Sequence, residues 1–149
     1  MTRILFVCHG NICRSPMAEF ILKALVRVRG LEGEYHIESA AVSTEEIGNP
    51  IYPPARLCLT RHGVPFDARK RARQVTAADY AAFDRIFVMD QSNLRRLQRI
   101  LPGDPEKKVH LMMSCCGRSR DVADPWYTGD FETTFQDLLA ACEAMLSLR

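Results

Sequence analysis

Apolar positions along the chain alternate between short unbroken runs and helical spacing. Ile4-Leu5-Phe6-Val7 is an unbroken run and predicts a buried strand. Ser15-Pro16 supplies an N-cap followed by Pro at the first helical position. Met17, Phe20, Ile21, Ala24, Leu25 and Val28 then recur at helical spacing until Gly30, which predicts a helix. Tyr35 to Ser39 reads as a second strand. A long loop through Gly48-Asn49-Pro50 follows, then a short helix over 54–61 that Gly63-Val64-Pro65 breaks. Thr76 to Ala82 predicts another short helix and Arg85 to Met89 a third strand. Asn93 to Leu101 predicts a helix with Leu94, Leu97 and Leu101 inward, stopped by Pro102-Gly103. Val109 to Met112 reads as a fourth strand, and a last helix carries Phe131, Phe135, Leu138, Leu139, Cys142, Met145 and Leu146 on one face. Strands alternating with helices imply right-handed crossovers and an α/β fold, a parallel sheet covered on both faces.

Length and composition narrow the class. A chain of 149 residues is expected to form one domain, 1–149, and with 47% hydrophobic residues it can build a core without disulfide staples. Twenty Lys and Arg against eighteen Asp and Glu leave +2, too balanced for bulk charge to drive binding to nucleic acid or to a membrane surface. Four apolar residues before Cys8 are too few for a secretory segment, and no run approaches bilayer length, so a cytoplasmic location is expected. Six cysteines in that setting are buried, metal-bound or catalytic rather than paired. Cys115-Cys116 and Cys142 read as core residues.

The chemistry is concentrated in the loop between the first strand and the first helix, Cys8-His9-Gly10-Asn11-Ile12-Cys13-Arg14-Ser15. In an open α/β sheet, ligands bind beyond the carboxyl ends of the strands, where this loop falls. Its Cys-x5-Arg-Ser spacing lets backbone N–H groups of residues 9–14 wrap a tetrahedral anion, with Gly10 allowing close approach and Asn11 tolerating a left-handed conformation. Arg14 can grip two oxygens in a fork, the helix N-terminus adds partial positive charge, and the Ser15 hydroxyl can donate to sulfur. All of these favour a thiolate at Cys8 and make it a nucleophile. A competing reading joins Cys8-x4-Cys13 to Cys58-x3-His62 as four zinc ligands, but it leaves Gly10, Asn11 and Arg14 unexplained and sets a cation beside Arg14.

The stretch Val7 to Pro16 followed by Ala18-Glu19 resembles the low-molecular-weight protein tyrosine phosphatases. Asp124-Pro125-Trp126-Tyr127 is similar to that family's acid loop. The similarity continues through Ser43 to Asn49-Pro50, Arg61-His62-Gly63, Ala72-Arg73-Gln74 and Met89-Asp90-Gln91-Ser92-Asn93-Leu94. The resemblance implies a four-stranded parallel sheet and a metal-free, cofactor-free phosphomonoesterase working through a phosphocysteine. Cys8 would be the nucleophile, Arg14 the transition-state clamp, Ser15 the thiolate stabiliser and Asp124 the general acid, with Ser39 and His62 standing behind Asn11 to hold the loop. The phosphate site would comprise His9, Gly10, Asn11, Ile12, Cys13 and Ser15, with Glu45, Trp126 and Tyr127 against the substrate and Cys13 as redox partner of Cys8. Implied partners are phosphotyrosine-containing proteins or peptides, inorganic phosphate as product and inhibitor, and a weak homodimer, with no nucleic acid and no membrane insertion.

One carboxyl can protonate a departing phenolate oxygen and later take a proton from water, which suits Asp124; Asp-Pro is also a common turn opener. Glu45 falls where many relatives place an apolar or aromatic wall, which predicts weaker binding of acidic phosphopeptides. Arg69-Lys70-Arg71 stands where family members often carry a histidine. The basic residues Arg56, Arg61, Arg69, Lys70, Arg71 and Arg73 form either an anion-attracting patch or a solvated face. Three other functions compete. Arsenate reductases with this loop use a further cysteine pair about midway, whereas here Cys58 is followed by no cysteine until Cys115. Arginine phosphatases tend to place Thr where Ile12 stands and lack the Trp126-Tyr127 pair. A non-catalytic phospho-ligand binder could dispense with Cys8 or Asp124, and both are present.

Overall fold

In the computed structural model, which describes residues 1–147, four parallel strands form one sheet in the order β2-β1-β3-β4. The strands are β1 (Thr2–Cys8), β2 (Tyr35–Ala41), β3 (Arg85–Val88) and β4 (Val109–Leu111). The helices are α1 (Arg14–Val28), α2 (Pro53–Arg61), α3 (Ala78–Ala82), α4 (Gln91–Ile100), α5 (Pro125–Thr128) and α6 (Phe131–Ser147). The expected three-layer α/β architecture is what forms.

The unbroken apolar run of β1 follows from burial on both faces. Ile4, Phe6 and Cys8 point to one side, where they join buried residues of α1, α2 and α6, among them Met17, Cys58, Leu59, Leu138 and Cys142. Leu5 and Val7 point to the other side and pack with Phe83, Leu97 and Leu101 around α3 and α4. β3 divides the same way, with Phe87 on the first side and Ile86 and Val88 on the second. Each core residue of β1 from Ile4 to Val7 is at most 1% exposed. Burying a side chain of that size is worth ~1.5–3 kcal/mol, which makes this strand the mechanical anchor of whatever follows Cys8.

Several boundaries differ from expectation for local reasons. α1 begins at Arg14, so Cys13 and not Ser15 is its N-cap residue, and no side chain caps it. The Ser15 hydroxyl is engaged with Cys8 and Asn11 instead. β4 stops at Leu111 because Met112 opens a single 3₁₀ turn that runs to Cys116. α3 is shorter than the Thr76–Ala82 stretch, since the Asp79 carboxylate turns back to accept from the Thr76 N–H. Asp124-Pro125 opens a short helix, α5, with Asp124 as its N-cap accepting from Trp126 N and Pro125 at the first helical position.

This topology fixes the site. The chain leaves β1, passes through α1 and returns on one side as β2; β3 pairs on the other side of β1. The carboxyl end of β1 is therefore the switch point where a crevice opens, and Cys8 to Arg14 fill it.

Candidate active site

The loop from Cys8 to Arg14 is shaped by Asn11, which adopts φ +60°, in the left-handed region that Asn tolerates at modest cost. That turn aims the Asn11 N–H at Cys8 Sγ, 3.3 Å away. The Asn11 side chain, 1% exposed, is fully used: Nδ2 donates to Ser15 Oγ at 2.7 Å and to Ser39 Oγ at 3.0 Å, and Oδ1 accepts from the Arg73 N–H at 3.3 Å.

Ser39 accepts from Asn11 and passes its own hydroxyl proton to Glu19 Oε1 at 2.5 Å. Glu19 is a buried carboxylate held by Lys23 at 2.6 Å and by Lys70 at 3.5 Å, so it acts only as an acceptor. Ser15 likewise accepts from Asn11, which leaves its proton free for Cys8 Sγ at 3.0 Å in preference to the more distant Ala40 carbonyl at 3.4 Å. The sulfur thus receives a hydroxyl and a backbone N–H, the two donors that stabilise negative charge on it.

Arg14 is almost completely buried, at 2% exposed. Its NH1 donates to Asp90 at 2.8 Å and to the Val122 carbonyl at 2.9 Å, and its NH2 lies 3.4 Å from Asp124 Oδ2. Burial alone would lower the guanidinium's pKa, but the negative charges of Cys8, Asp124 and Asp90 outweigh it and hold the pKa above its ordinary value. The cation is permanent. Asp90 also caps α4 by accepting from the Asn93 N–H at 2.7 Å, so one carboxylate orients Arg14 and starts a helix.

These groups surround a cleft of about 120 Å³. The loop lines it with Cys8, His9, Gly10, Ile12, Cys13 and Arg14, and the segment opening α5 with Asp124, Trp126 and Tyr127. Glu45 and Glu46 also line the cleft; His9 Nε2 is 2.8 Å from Glu45 Oε2. A Cβ at Gly10 would sit 3.2 Å from Glu46 Cγ, so Gly10 lets the loop approach Glu46. Trp126 packs against Tyr52 with ring centroids 4.8 Å apart and planes tilted by 49°, and Tyr127 is 83% exposed beside it.

One expectation is corrected. His62 does not stand behind Asn11; its Nε2 pairs with Glu132 at 2.7 Å and its ring stacks on Phe135, because α2 docks on α6. The Arg73 backbone N–H and the Glu19 carboxylate take the supporting place beside Ser39. The four-ligand zinc set does not assemble either, since Cys58 and His62 gather with Glu132 while Cys8 and Cys13 line the cleft. Three of the six basic residues are committed to ion pairs. Arg73 is paired with Asp79 and Glu38, Arg69 with Asp67, and Lys70 with Glu19, and Lys70 also donates to the Ser39 carbonyl. Lys70 therefore supplies a cation behind Ser39.

Asp90, Glu19, Lys70 and Glu46 were absent from the sequence-derived site. Asp90 had a signal: an acid directly after a buried strand, at the carboxyl edge of a parallel sheet. The other three owe their positions to tertiary packing.

Comparison with known proteins bears directly on this geometry. The family model described as "Low molecular weight phosphotyrosine protein phosphatase" matches residues 3–148. The chain belongs to this family. The human low molecular weight phosphotyrosine protein phosphatase is 39% identical over 150 residues, 96% of this chain and 92% of that protein. The low molecular weight protein-tyrosine-phosphatase YfkJ of Bacillus subtilis is also 39% identical, over 99% of this chain and 95% of its own length. The crystal structure of YfkJ superposes with a TM-score of 0.94 over 99% of this chain and 94% of that one. A Drosophila arginine phosphatase, DARP, is 35% identical with a TM-score of 0.88, covering 99% and 97% of the two chains. As a low molecular weight phosphatase family member, the protein places Cys8, Arg14 and Asp124 around one cleft. No helix among the described residues is long and apolar enough to cross a membrane.

Proposed function

We propose that this family member hydrolyses phosphotyrosine in proteins or peptides, and small aryl phosphates, through a phosphocysteine at Cys8. The observation that carries this reading is the sulfur of Cys8 in contact with both the Ser15 hydroxyl and the Asn11 N–H in a cleft that Arg14 and Asp124 also line. In the first step Cys8 Sγ attacks phosphorus, the bond to the tyrosyl oxygen breaks, and Asp124 gives its proton to that oxygen. In the second, Asp124 takes a proton from water, whose oxygen attacks phosphorus, and inorganic phosphate leaves as the thiolate is restored. Arg14, with the loop amides, bears the charge on the equatorial oxygens in both steps. No residue of this route requires a metal or a cofactor. Inorganic phosphate, occupying the same cradle, acts as product inhibitor.

Trp126 and Tyr127, half or more exposed and lining the cleft beside Asp124, offer ring faces to a phenyl group carried into it. Glu45 and Glu46 in the cleft lining favour peptides with basic residues beside the phosphotyrosine and disfavour acidic ones. Cys13, buried and lining the same cleft, would be the thiol that captures an oxidised Cys8.

Cys8→Ser tests the reading. The hydroxyl is not ionised but the cradle persists, so phosphate and vanadate should still bind while turnover on phosphotyrosine peptide is lost. Turnover should be indifferent to chelators in the wild type, and phosphoarginine peptides should be poorer substrates than phosphotyrosine peptides. Substantial activity in Cys8→Ser, or a preference for phosphoarginine, overturns it.

A further inference from the structure

Outside the cleft, one group of chemically competent side chains is left without a role in the phosphatase reading. Cys58 and His62 are four residues apart, Cys58 within α2 and His62 at its C-cap, so both face the same side; Glu132 lies in the first turn of α6 against them. One ligating atom from each of the three lies within 4.8 Å of the other two. A thiol, an imidazole and a carboxylate are the three donor types zinc takes, and three protein ligands plus water is the composition of open zinc sites. We propose that Cys58, His62 and Glu132 bind a zinc ion that joins the end of α2 to the start of α6.

The surroundings are arranged as they are around metal ligands. Gln136, one turn on from Glu132, donates to Glu132 Oε2 at 2.8 Å and leaves Oε1, the oxygen 2.7 Å from His62 Nε2, facing the histidine. Such outer contacts orient ligands and raise their affinity. The His62 ring is fixed by stacking on Phe135, centroids 3.8 Å apart and planes within 10°. Cys58 is fully buried, and its thiol donates to the Phe131 carbonyl at 3.6 Å, a weak contact that a cation would readily replace. Access is from the His62 and Glu132 side, where the side chains are 28% and 51% exposed. On binding, the thiol releases its proton to solvent, and thiolate and carboxylate neutralise the 2+ charge. His62 gives its Nε2 lone pair and keeps its proton on Nδ1.

This site is independent of the phosphatase reading, because it rests on α2 and α6 and its readouts are not enzymatic. The test is done in Cys8→Ser, so that the cleft sulfur cannot supply the ligand. Zn²⁺ is titrated against a chromogenic chelator, and Co²⁺ is added separately to look for sulfur-to-cobalt charge-transfer absorption. One equivalent of Zn²⁺ should bind, raise the thermal midpoint, and give the cobalt band. Adding Cys58→Ala should abolish the band, and adding Glu132→Ala should weaken Zn²⁺ at least about tenfold, since even outer contacts are worth that much. Glu132 is exposed at a helix start, so its removal leaves the fold intact even where Cys58→Ala does not. No stoichiometric binding in Cys8→Ser, or affinity within twofold of the parent in Glu132→Ala, overturns the proposal.

Discussion

Asp124→Asn separates the two jobs that Asp124 performs. As N-cap of α5 it accepts from the Trp126 N–H at 3.1 Å, and Asn caps about as well as Asp, so that contact survives. As a neighbour of Arg14 it lies 3.4 Å from the guanidinium, but Asp90 at 2.8 Å remains, so the buried cation keeps its nearer carboxylate. The expected stability loss is below about 1 kcal/mol, less than roughly 4 °C in Tm for a chain of this size. What Asn cannot do is deliver a proton. General acid catalysis is worth about a hundred- to ten-thousand-fold, or ~2.7–5.5 kcal/mol of barrier, and more for a basic leaving group. The measurement is kcat for phenyl phosphate against 4-nitrophenyl phosphate, alongside a thermal melt. Phenyl phosphate should slow by about a hundredfold or more, and the nitrophenyl ester, whose anion leaves unaided, far less. Equal slowing of both substrates would show that Asp124 serves only to cap α5 and pair Arg14.

Ser39→Ala removes the hydroxyl between Asn11 and Glu19 and leaves a buried amide proton unpaired, at ~1–3 kcal/mol; the melt should drop by roughly 2–12 °C, while Ser39→Thr, keeping the hydroxyl, should recover most of it. Burial holds the Cys142 thiol well above its ordinary value of 9.0, so the unfolded chain ionises first as pH rises: stability is full below pH 9 and falls above it by up to about 1.4 kcal/mol per pH unit for this group. Urea midpoints measured from pH 8 upward should decline, and Cys142→Ala should flatten the decline; a parallel slope in the variant rejects the assignment. Brief peroxide treatment followed by dithiothreitol should restore activity in the wild type but far less in Cys13→Ser, with a Cys8–Cys13 linkage seen by mass spectrometry. Equal recovery in both proteins makes Cys13 a packing residue only.

Much of this protein was legible in its residues because the relevant information was local. The run Ile4 to Val7 could only be a strand buried on both faces, and the helical spacing from Met17 to Val28 could only be one helix. The loop between them, at the carboxyl end of β1, carries Gly10, Asn11, Arg14 and Ser15 within eight positions. Chain connectivity alone brings those four to one anion, and the left-handed Asn11 is a property of its own backbone. What the residues could not supply by themselves was anything set by where distant elements dock; Asp124 and Ser39 entered the site only through the family resemblance. Asp90 reaches Arg14 across 76 positions and Asp124 across 110, and Glu19 meets Ser39 from a neighbouring helix. His62 turned away from the loop because α2 settles on α6, where Phe135 offers a stacking face and Glu132 a hydrogen-bond partner. A residue's type fixes which bonds it can make, but with long-range partners the choice among them is made by packing of the helices on the sheet. The nucleophile and its cradle were therefore determined by sequence, and their supporting contacts by tertiary structure.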